Sequence, residues 1–157
     1  MTADNAMSKV IPLACASIAP AEAIPLDAQT RSLVENLRGH WVRSQLAGRA
    51  DFDRACMLIA GDESTTVERF ASAFFQGAQI FARRRLTFFT TKTEAVSEDE
   101  MWLARILQAF AGGDYISARY LIALRIVPDG RRRMMFLAQG LASHLCADQT
   151  GANRSKT

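Results

Sequence analysis

The chain has 157 residues, 49% hydrophobic and 22% charged, which is the composition of one ordinary globular domain and argues against collagenous, low-complexity and wholly disordered classes. Its formal charge of +3 is too small for the field of the whole chain to imply nucleic-acid binding, so charge clusters matter more than the sum. The 3 cysteines, Cys15, Cys56 and Cys146, are far apart and in no CxxC or Cys/His ligand spacing, which speaks against a disulfide framework or zinc module and fits a reducing cytoplasm.

Residues 1–25 carry Pro12, Pro20 and Pro25 without a helical stripe, and read as a flexible leader. A mildly apolar run after Lys9 resembles an export signal only weakly, because Pro12, Ser17 and Pro20 interrupt it. No stretch approaches the length of a membrane span, so no membrane partner is expected. Arginine supplies nearly all the basic charge and alanine is abundant, a pattern of GC-rich coding that points to a bacterial source.

From Asp27 onward, Leu33, Val34, Leu37, Trp41 and Leu46 follow the helical period, with Asp27 or Thr30 as N-cap and Gly48 as a stop. A second, two-turn helix begins at Asp51 or Asp53, buries Phe52, Cys56 and Ile59, and ends at Gly61. Thr65 and Glu68 have the spacing of a capping box, ahead of a stripe formed by Val67, Phe70, Phe74, Ala78 and Phe81 and widened by Phe75. This third helix reads as the core spine, with Arg83, Arg84 and Arg85 at its C-terminal end, where the dipole favours cations. Leu86 to Thr91 is strand-like in composition but has no second run to pair with, and 90–97 reads as a surface loop.

Ser97 and Glu100 form the clearest helix start, and their position accounts for Glu98, Asp99 and Glu100 as dipole charges. Leu103, Ile106, Leu107 and Phe110 are that helix's buried face; Gly112 and Gly113 end it, and Asp114 caps the next. The fifth helix is apolar on most sides, with Ser117, Arg119 and Arg125 as its clear polar positions, and is expected to be central and well covered. The last, from about Asp129 to Cys146, has the stripe Met134, Leu137, Leu141 and Leu145, and 148–157 reads as a flexible tail. The expectation is an all-α single-domain bundle of about five to six helices, occupying 26–147, with disordered termini.

No catalytic set emerges. His144 and Cys146 are two apart on a helix, about 200° around the axis, and cannot form a ready thiolate and base. His40 reads as a partly exposed surface residue, Cys56 and Cys146 as inert packing, and no metal, cofactor or catalytic residue is implied. There is no P-loop, GxGxxG, HExxH or GxSxG.

The strongest remaining lead is charge beside aromatics. Arg131, Arg132 and Arg133 stand at the start of the last helix, where the dipole disfavours them, so Asp129, another helix's C-terminal end or an anionic partner must compensate. The sequence therefore suggests a non-enzymatic regulatory or adaptor protein acting on another protein. Phe88 and Phe89 would form the contact patch, and arginines 83–85 and 131–133 its rim. A nucleic-acid-associated regulator using both arginine runs as phosphate contacts is the alternative. A small enzyme or ligand binder with a pocket lined by Trp41, Trp102 and the phenylalanines is a third reading. The apolar last helix could also close a homodimer.

Overall fold

The computed structural model describes residues 25–47 and 51–147. The proposed leader, apart from Pro25, and the tail 148–157 lie outside the described residues, as do Cys15 and the expected stop Gly48. The described chain is an all-α bundle: α1 (Ala28–Leu46), α2 (Phe52–Ala60), α3 (Val67–Phe81), α4 (Glu98–Ala111), α5 (Tyr115–Arg125) and α6 (Pro128–Leu145).

Most helix starts follow the local chemistry of the sequence. The Asp27 carboxylate accepts from Thr30 N at 3.3 Å, and Asp51 accepts from the amides of Asp53 and Arg54. The box at α4 closes in both directions, Glu100 N donating to Ser97 Oγ at 3.1 Å and Ser97 N to Glu100 Oε2 at 2.8 Å. Gly113 takes the left-handed conformation (φ 76°) that turns α4 into α5, and Asp114 accepts from Ser117 N. Pro128 opens α6, where a missing N–H costs nothing.

The expected box at α3 does not form. The helix begins one residue later, with Thr66 at the N-cap and no side-chain cap bond. The buried Thr65 hydroxyl instead donates back to Asp62 O at 2.8 Å, closing the turn that leaves α2. The hydroxyl is thereby turned toward the preceding turn and away from the first amides of α3, a local side-chain to backbone bond of the kind short polar side chains commonly make.

As anticipated, α3 is the spine, packing against α1, α2 and α6. Its deepest residues are Ala71, Phe74, Phe75 and Ala78, while Val67, Phe70 and Phe81 lie half-buried at the margins. Contact with α6 is close because α6 carries glycine where α3 carries phenylalanine. A Cβ added at Gly130 would lie 2.3 Å from Phe81 Cγ, and one at Gly140 would lie 2.1 Å from Phe70 Cε1.

The chain leaves α3 earlier than the sequence suggested. Ala82 is extended and forms an isolated antiparallel bridge with Ile126, in which Val127 N donates to Phe81 O and Arg83 N to Arg125 O. Arg83 to Arg85 therefore lie beyond the helix, and attraction to its dipole does not account for them. The strand-like run after them, Leu86 to Thr91, enters no bridge or sheet among the described residues, the isolated bridge lying at Ala82 before the arginines.

The fifth helix is not central. Within α5 only Ala118 and Ile122 are fully covered, by α4 and α6; Leu121 is half-buried against the core, and Tyr115, Ile116, Tyr120 and Leu124 face outward. Helical periodicity shows which positions are apolar and leaves open whether another element covers them.

The Gly130 contact yields a test. Gly130→Ala should lower stability by about 1–3 kcal/mol in urea unfolding, because overpacking against the rigid base of Phe81 outweighs the better helix propensity of alanine. A neutral or stabilised variant would show that the α3–α6 contact is looser than described.

Candidate functional site

The segment from Ala82 to Ser97 carries five of the eight residues singled out from the sequence, and two buried carboxylates at the start of α4 hold it. Arg38, projecting from α1, is 2% exposed and Glu100 is 0% exposed. Arg38 Nε donates to Glu100 Oε1 at 2.8 Å and Nη2 to Oε2 at 3.0 Å, a two-pronged pair. The remaining guanidinium hydrogens go to Thr93 O and Ala95 O, both at 2.6 Å, and to Glu35 at 3.4 Å. Glu100 also accepts from Phe89 N and Ser97 N, each at 2.8 Å. Burial pushes the Glu100 carboxyl up, but hydrogen bonds from Arg38, Ser97 N and Phe89 N outweigh it and hold the group below the usual glutamate range.

Asp99, also buried, receives both ends of the Arg84 guanidinium at 2.9 and 3.0 Å and Thr87 N at 2.7 Å, and pairs with Arg125. Attraction to the α4 dipole is therefore an incomplete account of these acids. Asp99 and Glu100 are the joints between α4, α1, the α3–α4 segment and the end of α5.

The eight residues fall into two groups. Arg83, Arg85 and Arg132 are exposed and enter no ion pair among the described residues. Arg84 is bound to Asp99, Arg133 pairs with Asp53 and lies over the rings of Phe52 and Phe81, and Arg131 donates to Ile126 O at 3.1 Å and Ala123 O at 3.4 Å. The last contact answers the question raised by an arginine at a helix start, since its charge meets the closing carbonyls of α5. Phe88 stacks on Trp41 with centroids 5.0 Å apart and meets Phe75 edge-on at 5.2 Å. Phe89 is half-buried, with the Arg38 guanidinium 5.9 Å from its ring centre.

A surface the sequence reading missed lies on α5. Ile116, Tyr120 and Leu124, spaced by four, are 85%, 64% and 51% exposed. Exposed Arg119 lies beside this stripe on α5, and exposed Arg105 of α4 shares a cleft of about 440 Å³ with Met101, Leu121 and Leu124. Neither arginine enters an ion pair among the described residues. The i, i+4, i+8 spacing was visible in the sequence, but in a helix apolar on two faces it reads as burial.

The other reactive side chains are quiet. His40 is buried, contrary to expectation, because it lies on the covered side of α1; burial first and Arg43 second push its pKa down and keep the ring neutral. His144 is exposed beside the Phe70 ring. Burial raises the thiol pKa of Cys56 and of Cys146, which opposes thiolate formation. Trp41 and Trp102 do not share a pocket: they line different clefts, and Trp102 Nε1 donates to Leu121 O at 2.7 Å. Among the described residues no three His, Cys, Asp or Glu side chains converge as a metal site requires, and no helix is long and apolar enough to cross a membrane. Comparison with known protein families, curated proteins and solved structures finds no match to the chain.

Two measurements test the Arg38–Glu100 pair. Arg38→Met should cost about 3–5 kcal/mol in urea unfolding at neutral pH, because it strands a buried carboxylate. Since the native Glu100 pKa is depressed, its contribution is complete above pH about 4.3 and is lost as pH falls through the lower native value. Glu100→Gln should therefore be less stable than the parent at pH 7 and lose less stability between pH 5 and pH 3; parallel curves would refute this.

Proposed function

We propose that this protein is a non-enzymatic regulatory or adaptor module that binds another protein through the outer face of α5. The observation supporting the reading is the exposure of Ile116, Tyr120 and Leu124 in one line on a regular helix. Burial of a large apolar side chain is worth about 1.5–3 kcal/mol, a gain this face leaves unrealised until something covers it. An apolar ridge on a helix suits the hydrophobic face of another helix, read at steps of three and four. Arg105 and Arg119 favour a partner helix with acidic residues flanking its apolar face. In this reading Phe88 and Phe89 serve the interface indirectly, by holding the segment between α3 and α4 in place.

The nucleic-acid reading retains Arg83, Arg85 and Arg132, but Arg84, Arg131 and Arg133 are already engaged by protein groups. That is a thin set for tracking a phosphate backbone. An α5 face paired with its own copy is a separate outcome, distinguishable by solution mass.

Affinity purification from the native host should recover a partner with the parent protein and lose it with the triple variant Ile116→Ser, Tyr120→Ser, Leu124→Ser. The variant should keep its circular dichroism spectrum and a urea midpoint near the parent's, as solvent-facing changes do. Equal recovery by the two proteins would remove α5 as the interface, and a fall in solution mass to the monomer in the variant would assign the face to self-association.

A further inference from the structure

A second surface carries different chemistry. Between the C-terminal halves of α1 and α3 lies a cleft of about 510 Å³, within the range of small-molecule sites. Its apolar wall is the half-buried Trp41 with Ala82, backed by the buried Phe75 and Leu86, and its mouth is bordered by Arg83, Arg84 and Arg85. We infer that this cleft binds a small aromatic anion: a flat ring system bearing a phosphate or carboxylate, with the ring against Trp41 and the anionic group between Arg83 and Arg85.

The wall is held in position. The Trp41 ring is fixed edge-on by Phe75, with centroids at 5.3 Å, and by stacking on Phe88 at 5.0 Å. A ring immobilised in this way presents contact area without having to be ordered on binding. The backbone that carries the arginines is also constrained. Arg83 N is bonded to Arg125 O at 2.8 Å, Leu86 is buried, and Thr87 N is bonded to Asp99 at 2.7 Å, so both ends of the run are pinned.

The charge around the cleft is unbalanced. Asp99 is the carboxylate that meets the run, and it is taken up by Arg84 and Arg125. Arg83 and Arg85 are left with no carboxylate partner among the described residues. Two uncommitted guanidinium groups beside an aromatic wall supply what a phosphate or carboxylate on a ring needs: forked donors for the anion and a face for stacking. Gln45 and Gln79, on α1 and α3, continue the cleft into a smaller recess of about 210 Å³. Gln76 lines that recess, and its Oε1 atom is buried without a hydrogen-bond partner. An unmet polar atom there suits a ligand whose ring carries a hydrogen-bonding substituent at the end remote from the anion.

Isothermal titration calorimetry of the full chain tests the inference, with adenosine 5′-monophosphate, 4-hydroxybenzoate, adenosine, inorganic phosphate and a short single-stranded DNA as probes. Saturable one-to-one binding of either aromatic anion is expected, at least about tenfold tighter than adenosine or phosphate alone; which anion binds distinguishes phosphate from carboxylate. Arg83→Gln with Arg85→Gln should weaken it by about tenfold or more, whereas Arg132→Gln should leave it unchanged. Gln45→Ala, on the opposite wall and away from the pinned segment, provides a second variant expected to weaken binding. The inference fails if neither aromatic anion saturates, if neutral adenosine binds equally well, or if Arg132→Gln weakens binding as much as the double variant. It also fails if the DNA strand binds more tightly than the mononucleotide, which would assign the cleft to nucleic acid.

Discussion

The architecture depends on one charged group held where charge is costly. A guanidinium at 2% exposure loses most of its hydration, a penalty of several kcal/mol, and is tolerated only when its donors are met. All five donors of Arg38 are met, by Glu100, Glu35, Thr93 O and Ala95 O. The requirement then acts in reverse on the chain around it. The segment between α3 and α4 contains no helix, yet Phe89 N, Thr93 O, Ala95 O and Ser97 N are all fixed by this pair. Lys92, in the left-handed region at φ 66°, is held within the same segment by the hydrogen bond that its backbone N–H donates to Glu35 Oε1.

Asp99 repeats the device one residue earlier and faces a different neighbour. It joins Arg84 to Arg125, and so ties the extended segment after α3 to the end of α5. The bridge between Ala82 and Ile126 and the bonds from Arg131 to the last carbonyls of α5 reinforce the same junction. Its functional consequence is geometric: Arg84 borders the cleft between α1 and α3, Arg125 lines the one between α4 and α5, and both reach the same carboxylate. Two surfaces of different character are thus anchored at one buried acid.

The distribution of apolar surface separates what holds the molecule together from what it offers to others. Phe74, Phe75, Leu103, Ile106, Leu107, Met134, Leu137 and Leu141 form a continuous core around α3, α4 and α6. The glycines at 130 and 140 let α6 approach the phenylalanines of α3. By contrast, α5 contributes Ala118 and Ile122 to that core and turns larger side chains outward. A helix that reserves its bulk for the outside is better suited to a partner than to the fold that carries it.

The sequence determined the helices and most of their ends, because these follow from interactions a few residues long: Asp27, Asp51, Ser97 with Glu100, Gly113 with Asp114, and Pro128 each act within one turn. It also placed α3 correctly at the centre, since its apolar periodicity is strong. It did not show that Arg38, an arginine on a helix of mixed composition, would be buried against an acid 62 positions away. Nor did it show that Thr65 would turn back to Asp62, that Phe88 would close over Trp41, or that Arg131 would complete α5. The largest difference, the outward face of α5, has the same origin. Periodicity is a property of one segment, whereas burial and charge pairing belong to the arrangement of several, and only the tertiary structure decides which apolar face is covered and which arginines remain free.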